Sequence, residues 1–170
     1  PQQRNLMELV YECFLDGNIN AESIRKSNTG VFIGCCSTEY HSSIMEQSDL
    51  VNEYANTGGL LTLLSNRISY FYDLRGPSLT LDTACSSSGY ALHLACQSLI
   101  SGESEQCLVG GSNVLLKPES TIAFSQATML SPEGKCKSFD RSANGYVRSE
   151  GCVILILKKL ESAIKDNNKI

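Results

Sequence analysis

Along the chain the apolar residues switch between two periods, and the switching outlines the fold. Residues 4–15 carry Leu6, Leu9, Val10, Cys13 and Phe14 at helical spacing, and Asp16-Gly17 ends the pattern. Residues 29–34 read Thr-Gly-Val-Phe-Ile-Gly, an apolar run bounded by glycine that predicts a short buried strand. The polar stretch 35–56 predicts no more than a helix around 41–48. A mostly buried helix is expected over 57–70, opening at Gly58-Gly59 and carrying Leu60, Leu61, Leu63, Leu64 and Ile68. After a turn at Gly76-Pro77, Leu79-Thr80-Leu81 predicts a strand, and a long helix follows from near Cys85 to Ser101-Gly102. Residues 106–113 predict a buried strand leaving through a tight exit at Gly110-Gly111. A short helix over 121–129, a loop-rich segment over 135–150 and a closing helix over about 159–166 complete the pattern. Between the last two, residues 151–157 (Gly-Cys-Val-Ile-Leu-Ile-Leu) form the most apolar run and predict a central strand. Strands alternating with helices predict an α/β layered fold with a mostly parallel sheet.

In the long helix, Cys85, Ser88, Gly89, Leu92, Ala95, Cys96 and Leu99 recur at helical intervals as one small-to-apolar face. Ser86, Tyr90, His93 and Gln97 make a more polar stripe beside it. So many small residues predict a helix packed closely on several sides, inside the domain.

Composition bounds the partners. The chain has 170 residues, enough for one domain with a real core, with 42% hydrophobic and 19% charged residues. The net charge of −4 argues against a broad nucleic-acid surface. No run approaches the ~18 apolar residues that a membrane span needs. The start, Pro-Gln-Gln-Arg, lacks the features of a secretory signal, so a reducing cytoplasmic setting is expected for the eight cysteines. None of them forms a C-x-x-C pair, and no metal site is predicted. The chain enters abruptly on a helix and stops at Ile170 just after another, so both ends are expected to be cut edges of a larger domain.

The chemistry centres on Asp82-Thr83-Ala84-Cys85-Ser86-Ser87-Ser88-Gly89. A strand, a sharp turn and a cysteine at a helix start place a thiol where unpaired N–H groups and the positive end of the macrodipole favour the thiolate. Asp82 or Thr83 is expected to cap that helix. A small buried filler is the competing reading of Cys85. A nucleophilic cysteine needs a base, and the chain has two histidines. His93 lies eight residues further along the helix, roughly 12 Å along its axis and on another face, so it cannot serve Cys85 directly. His41 sits in a polar segment without a visible role. Asp140 and Glu150 are an uninformative carboxylate pair, and Lys135, Lys137, Arg141 and Arg148 read as a solvated face. No G-x-G-x-x-G, G-x-x-x-x-G-K-[ST] or G-x-S-x-G motif supports a nucleotide site or a serine hydrolase. The residues alone thus leave an activated cysteine with no base: either it is not catalytic, or the base lies outside this chain.

The segment Asp82-Thr83-Ala84-Cys85-Ser86-Ser87-Ser88 resembles the active-site signature of β-ketoacyl synthases, the condensing enzymes of the thiolase superfamily. Further blocks, in order, resemble the same family: Pro1-Gln2-Gln3-Arg4, Asn28-Thr29-Gly30-Val31-Phe32-Ile33-Gly34, Arg75-Gly76-Pro77-Ser78, Val109-Gly110-Gly111, Leu130-Ser131-Pro132-Glu133-Gly134, Ser138-Phe139-Asp140 and Gly145-Tyr146-Val147-Arg148-Ser149-Glu150. Gly89 departs from the leucine common at its position, which widens or loosens the helix beside Cys85. The resemblance implies a thiolase-like layered α/β/α fold, a mostly parallel mixed sheet with the nucleophile at the start of a buried helix, and residues 1–170 as the N-terminal half of a ketosynthase domain. It implies Cys85 as the acyl-thioester nucleophile, its backbone N–H contributing to an oxyanion hole. The acyl group would come from the phosphopantetheine of an acyl carrier domain, with no cofactor bound directly. A malonyl thioester would then be decarboxylated and condensed onto it. The catalytic histidines and lysine are implied to lie in the other half of the domain, and no position here matches their motifs. A homodimer is implied, with Tyr54 to Gly59 near the partner subunit's acyl tunnel.

Asn66-Arg67-Ile68-Ser69-Tyr70-Phe71-Tyr72-Asp73, Leu115-Leu116-Lys117-Pro118 and Arg148-Ser149-Glu150 are most similar to animal-type multidomain fatty acid synthases. Fatty acid synthesis is therefore the expected setting, and a type I polyketide synthase the alternative. A non-catalytic scaffold remnant and a cysteine hydrolase are the readings from other classes.

Overall fold

The computed structural model describes all 170 residues. Its centre is a four-stranded mixed sheet in the order β2-β1-β3-β4, with β1 Thr29–Gly34, β2 Ser78–Leu81, β3 Gln106–Asn113 and β4 Gly151–Lys158. β1 pairs in parallel with β2 and β3, and β4 runs antiparallel to β3. The helices are α1 Gln2–Asp16, α2 Glu39–Met45, α3 Ala55–Gly59, α4 Leu63–Phe71, α5 Ser87–Ser101, α6 Glu119–Gln126 and α7 Leu160–Lys165. The α/β layering with a mixed, partly parallel sheet agrees with the pattern of the sequence.

Alternation along the strands sorts the core into two layers. Val31 and Ile33 of β1 and Leu108 of β3 face α1 and α4, where they meet Leu6, Val10, Phe14, Leu64 and Ile68. The α1 residues buried there are spaced by four, one per turn on one stripe, and the ring of Phe14 meets Tyr72 edge-on at 5.1 Å. Phe32, Cys107 and Val109 point to the opposite face and pack against Ala91, Ala95 and Leu99 of α5. The two central strands are thus buried on both sides, which their unbroken apolar runs require.

Four expectations are revised. Residues 57–70 are two helices, because α3 ends at Gly59 and Leu60 turns extended with ψ 138° before α4 begins. The Gly110-Gly111 pair lies inside β3 rather than at an exit. Strand β4 is the edge of the sheet and not its centre: Cys152, Ile154 and Ile156 pack toward α1, while Val153 and Leu155 on the other face are 58% and 46% exposed. Finally, α5 is buried on one side only. Ser87, Ala91, Ala95, Ser98 and Leu99 face the sheet, whereas Ser88, Gly89 and Leu92 of the anticipated buried face are exposed. A helix rich in small residues offers two faces that can pack, and spacing does not say which one meets this sheet.

The core makes a direct prediction. Leu108 is fully buried between the α1/α4 layer and the sheet. Leu108→Ala should therefore destabilise the complete domain by about 2–5 kcal/mol in chemical denaturation. A loss under about 0.5 kcal/mol, the size of an ordinary surface change, would contradict this core assignment.

Candidate active site

The close approach of α5 to the sheet is set by glycines. A Cβ at Gly34, the last residue of β1, would lie 2.4 Å from both the carbonyl carbon of Ser87 and the amide nitrogen of Ser88. A Cβ at Gly111 would fall 2.9 Å from that of Ser88. With neither present, the first turn of α5 rests directly on the ends of β1 and β3.

Between Leu81 and α5 the chain must reverse within a few residues, and it does so through a short 3-10 turn, Ala84–Ser86. Ala84 takes φ +54°, a left-handed conformation that costs a non-glycine residue about 1–2 kcal/mol. Side chains hold the turn. The Ala84 N–H donates to Asp82 Oδ1 at 2.8 Å, and the Thr83 N–H donates to Ser87 Oγ at 2.9 Å. Ser86 Oγ donates to the Thr83 carbonyl at 2.8 Å, and Ser87 Oγ donates to the Ala84 carbonyl at 2.6 Å. Asp82 and Thr83 therefore lock the turn and do not cap α5, whose N-cap position is Ser86 and carries no side-chain cap. Cys85 sits at the apex of this turn, just ahead of α5, and is exposed in this chain.

Cys85 opens onto a cleft of about 710 Å³. One side is the outward face of α5, with Ser88, Gly89 and Leu92, and the floor includes Gly34, Gly110, Gly111, Val153 and Leu155. Phe124, Tyr146 and Arg148 form the far wall. A Cβ on Gly89 would meet nothing within 4 Å, so the missing side chain leaves open space on the cleft side of α5. Of the helix face that spacing picked out as buried, Ser88, Gly89 and Leu92 line this cleft, while Ala95 and Leu99 pack on the sheet.

Cys36 also lines the cleft. Burial foremost, and then the neighbouring Asp82 and Cys85, push its thiol above the ordinary cysteine range, with Arg148 opposing. Burial likewise raises Cys13, Cys35 and Cys107. All eight cysteines are free.

The other candidates do not join this site. His41 is on α2 with its ring against Gly59, and its buried Nδ1 has no hydrogen-bond partner. His93 is exposed on α5 with its ring 5.8 Å from that of Tyr90. Neither histidine lines the cleft. Asp140 accepts the Ser142 N–H and hydroxyl, both at 2.7 Å, while Glu150 accepts the Leu115 N–H at 2.7 Å, so the two carboxylates serve separate loops. The basic cluster also separates. Lys137 pairs with Glu133 at 2.8 Å near the surface, whereas the Arg148 side chain is only 14% exposed and faces the cleft. Cys36, Phe124, Tyr146 and Arg148 are the cleft residues that spacing did not connect to Cys85. The signal available in the sequence was the block from Gly145 to Glu150, too far along the chain for periodicity to link it.

The chain matches the family described as "Beta-ketoacyl synthase, N-terminal domain" over residues 1–163. It is 51% identical over 164 residues to the highly reducing polyketide synthase dmxL2 of Cryptosporiopsis sp. (strain 8999), covering 96% of this chain and 7% of that protein. To probable polyketide synthase 17 of Dictyostelium discoideum it is 46% identical over 170 residues, covering all of this chain and 6% of that protein. Its backbone superposes on the ketosynthase from module 6 of the bacillaene synthase from Bacillus subtilis 168 with a TM-score of 0.89 and 39% identity, over the whole of this chain and 29% of that one. The chain therefore belongs to the β-ketoacyl synthase family, with its thiolase-like α/β fold. Both curated relatives named here are polyketide synthases, and neither similarity supports the more specific likeness to fatty acid synthases.

Two predictions follow from the geometry. Gly34→Ala places a methyl group against backbone that cannot swing aside, so α5 must lift and carry Cys85 with it. If Cys85 is the acyl acceptor, its acylation should slow by about 10²-fold, the scale of a 1 Å misplacement. An unchanged acylation rate would show that the contact does not set the position of Cys85. For Cys36, the raised pKa means that its thiolate appears only at higher pH. Its alkylation by iodoacetamide, followed residue by residue by mass spectrometry, should reach half-maximum above the pH of about 8.5 typical of free cysteine. A midpoint at or below that value would contradict the environment described.

Proposed function

We propose that this chain is the nucleophile-bearing half of a ketosynthase domain in a type I polyketide synthase, with Cys85 as the acyl acceptor. The observation that carries the reading is the placement of Cys85 at the apex of a strained, hydroxyl-locked turn, open to a mostly apolar cleft. The polyketide setting draws on the two curated relatives. Fatty acid synthesis remains the second reading, favoured by Asn66-Arg67-Ile68-Ser69, Leu115-Leu116-Lys117-Pro118 and Arg148-Ser149-Glu150. The product released by the full-length protein separates the two.

In the proposed reaction the Cys85 thiolate attacks the carbonyl carbon of an acyl thioester carried on phosphopantetheine. The oxyanion that develops is stabilised by backbone N–H groups, that of Cys85 among them. The carbon–sulfur bond to the carrier breaks, and the carrier thiol leaves with a proton. A malonyl thioester then loses carbon dioxide, and its enolate carbon attacks the Cys85 thioester. A carbon–carbon bond forms, the bond to Cys85 breaks, and a β-ketoacyl thioester remains on the carrier. The bases for these steps belong to the other half of the domain in this reading, consistent with the distance of His41 and His93 from the cleft. The cleft needs no cofactor of its own.

Val153 and Leu155 of β4, with Leu92 of α5, leave apolar surface uncovered on the α5 side of the sheet. We assign the remainder of the domain to close over the cleft that these same residues line, and the exposed Tyr54 at the edge of α3 to the contact between domains of a homodimer.

Intact-mass measurement of the complete domain with an acyl thioester should show one acyl adduct, located on Cys85. Cys85→Ala should abolish it; an adduct of the same mass persisting elsewhere in that variant would remove Cys85 from this role. The 170-residue segment alone should form no β-ketoacyl product, and measurable condensation by it would overturn the assignment of the bases to the other half.

A further inference from the structure

Arg148 is the one charged side chain facing the cleft from its far wall, and every group around it belongs to a different part of the chain. Its Nη1 donates to Thr121 Oγ1 on α6 at 2.7 Å. Its guanidinium carbon lies 5.2 Å from the centre of the Phe124 ring, one helical turn further along α6. Its Nη2 is 4.0 Å from Glu39 Oε1 on α2, in a pair whose side chains are only 14% and 12% exposed. The other Glu39 oxygen, Oε2, accepts the N–H groups of Leu116 at 2.6 Å and Lys117 at 2.9 Å. Burial opposes ionisation of Glu39. The Lys117 and Leu116 N–H groups, the Ser120 hydroxyl and Arg148 outweigh it and hold the carboxyl below its usual range. Tyr146, two residues before Arg148, meets the same Phe124 ring at 6.1 Å in an edge-on arrangement. One planar guanidinium therefore ties α2, the 116–117 loop, α6 and the 146–149 segment into a single wall.

We propose that Arg148 is a positioning residue that fixes the Phe124–Tyr146 wall and so sets which acyl chains the cleft accepts, without contributing to the reactivity of the Cys85 thiol. The proposal rests on the reading of Cys85 as acyl acceptor. The Arg148 charge is matched by Glu39 and its Nη1 is fixed on Thr121, which leaves the guanidinium suited to hold the Phe124 ring in place. A lysine keeps the charge but not the flat fork, so it cannot lie on Phe124 while serving Thr121 and Glu39 together.

The test uses the full-length protein and two thioesters of N-acetylcysteamine, acetyl and hexanoyl, with Cys85 acylation followed by mass spectrometry. In Arg148→Ala the half-saturating concentration of the hexanoyl thioester should rise roughly tenfold, the scale of a loosened positioning contact, with the maximal acylation rate kept within about twofold. The acetyl thioester, whose acyl chain is a single methyl group, should shift by less than about threefold on the same reasoning. Alkylation of Cys85 by iodoacetamide should be unchanged. Phe124→Leu should reproduce the same selectivity, and Arg148→Lys should fall between wild type and alanine. If Arg148→Ala loses cooperative melting, Arg148→Lys and Phe124→Leu carry the comparison. Unchanged half-saturation, equal shifts for both thioesters, or a parallel fall in iodoacetamide reactivity would each overturn the proposal. A wild-type protein that forms no Cys85 adduct would overturn the underlying reading as well, so the two failures are distinguishable.

Discussion

The structure depends on how near the first turn of α5 can come to the sheet. Gly34 and Gly111 allow backbone to touch backbone there, and any side chain at Gly34 would occupy the space of Ser87. That contact has a consequence one turn upstream. β2 is held beside β1 through the Gly34–Leu81 pair, and Ser87 is held against Gly34, so both ends of the connecting turn are pinned to the same strand. The chain between them has to reverse in a very short span. Ala84 adopts its left-handed conformation because the surroundings leave no relaxed path, and the Asp82, Thr83, Ser86 and Ser87 side chains satisfy the backbone groups that the turn exposes. Cys85 is presented outward as a result.

Around that thiol the cleft divides its chemistry by position. The floor is built from glycine and aliphatic strand residues, which leaves room without adding charge. The far wall is aromatic, and its one cation is matched by Glu39. Cys36 is exposed, yet desolvation of its sulfur and its neighbours Asp82 and Cys85 push its thiol above the ordinary cysteine range. A chemically quiet surround of this kind suits covalent acyl transfer, where competing nucleophiles and stray water are the hazards.

The half-covered sheet and the exposed side of α5 belong to the same account. β1 and β3 are buried on both faces, while β4 shows Val153 and Leu155 to the outside. Apolar residues on both faces of an edge strand are the pattern of a strand that is covered on both sides. The composition of 151–157 suggested a central strand for that reason, whereas β4 is the sheet edge and is covered on its α1 side only.

Much was settled by local pattern. The limits of β1 and β3, the stripe of α1 and the strand–turn–helix around Cys85 follow from spacing and turn residues, because those signals act within a few positions. The identity of Cys85 as the distinctive thiol was also legible, through the residues on either side of it. What the sequence could not decide involved choices between chemically equivalent surfaces or residues far apart in the chain. α5 has two faces of small residues, and only packing against Phe32, Cys107 and Val109 selects the one led by Ala91 and Ala95. Gly110 and Gly111 read as a turn in isolation and are strand interior because they pair with Ile33 and Gly34 on one side and with Ile154 and Val153 on the other. Arg148 carries the same formal charge as Lys135 and Arg141, yet tertiary folding alone brings it to Glu39, Thr121 and Phe124. Local order was written in the sequence, and the cleft was decided by contacts that periodicity does not encode.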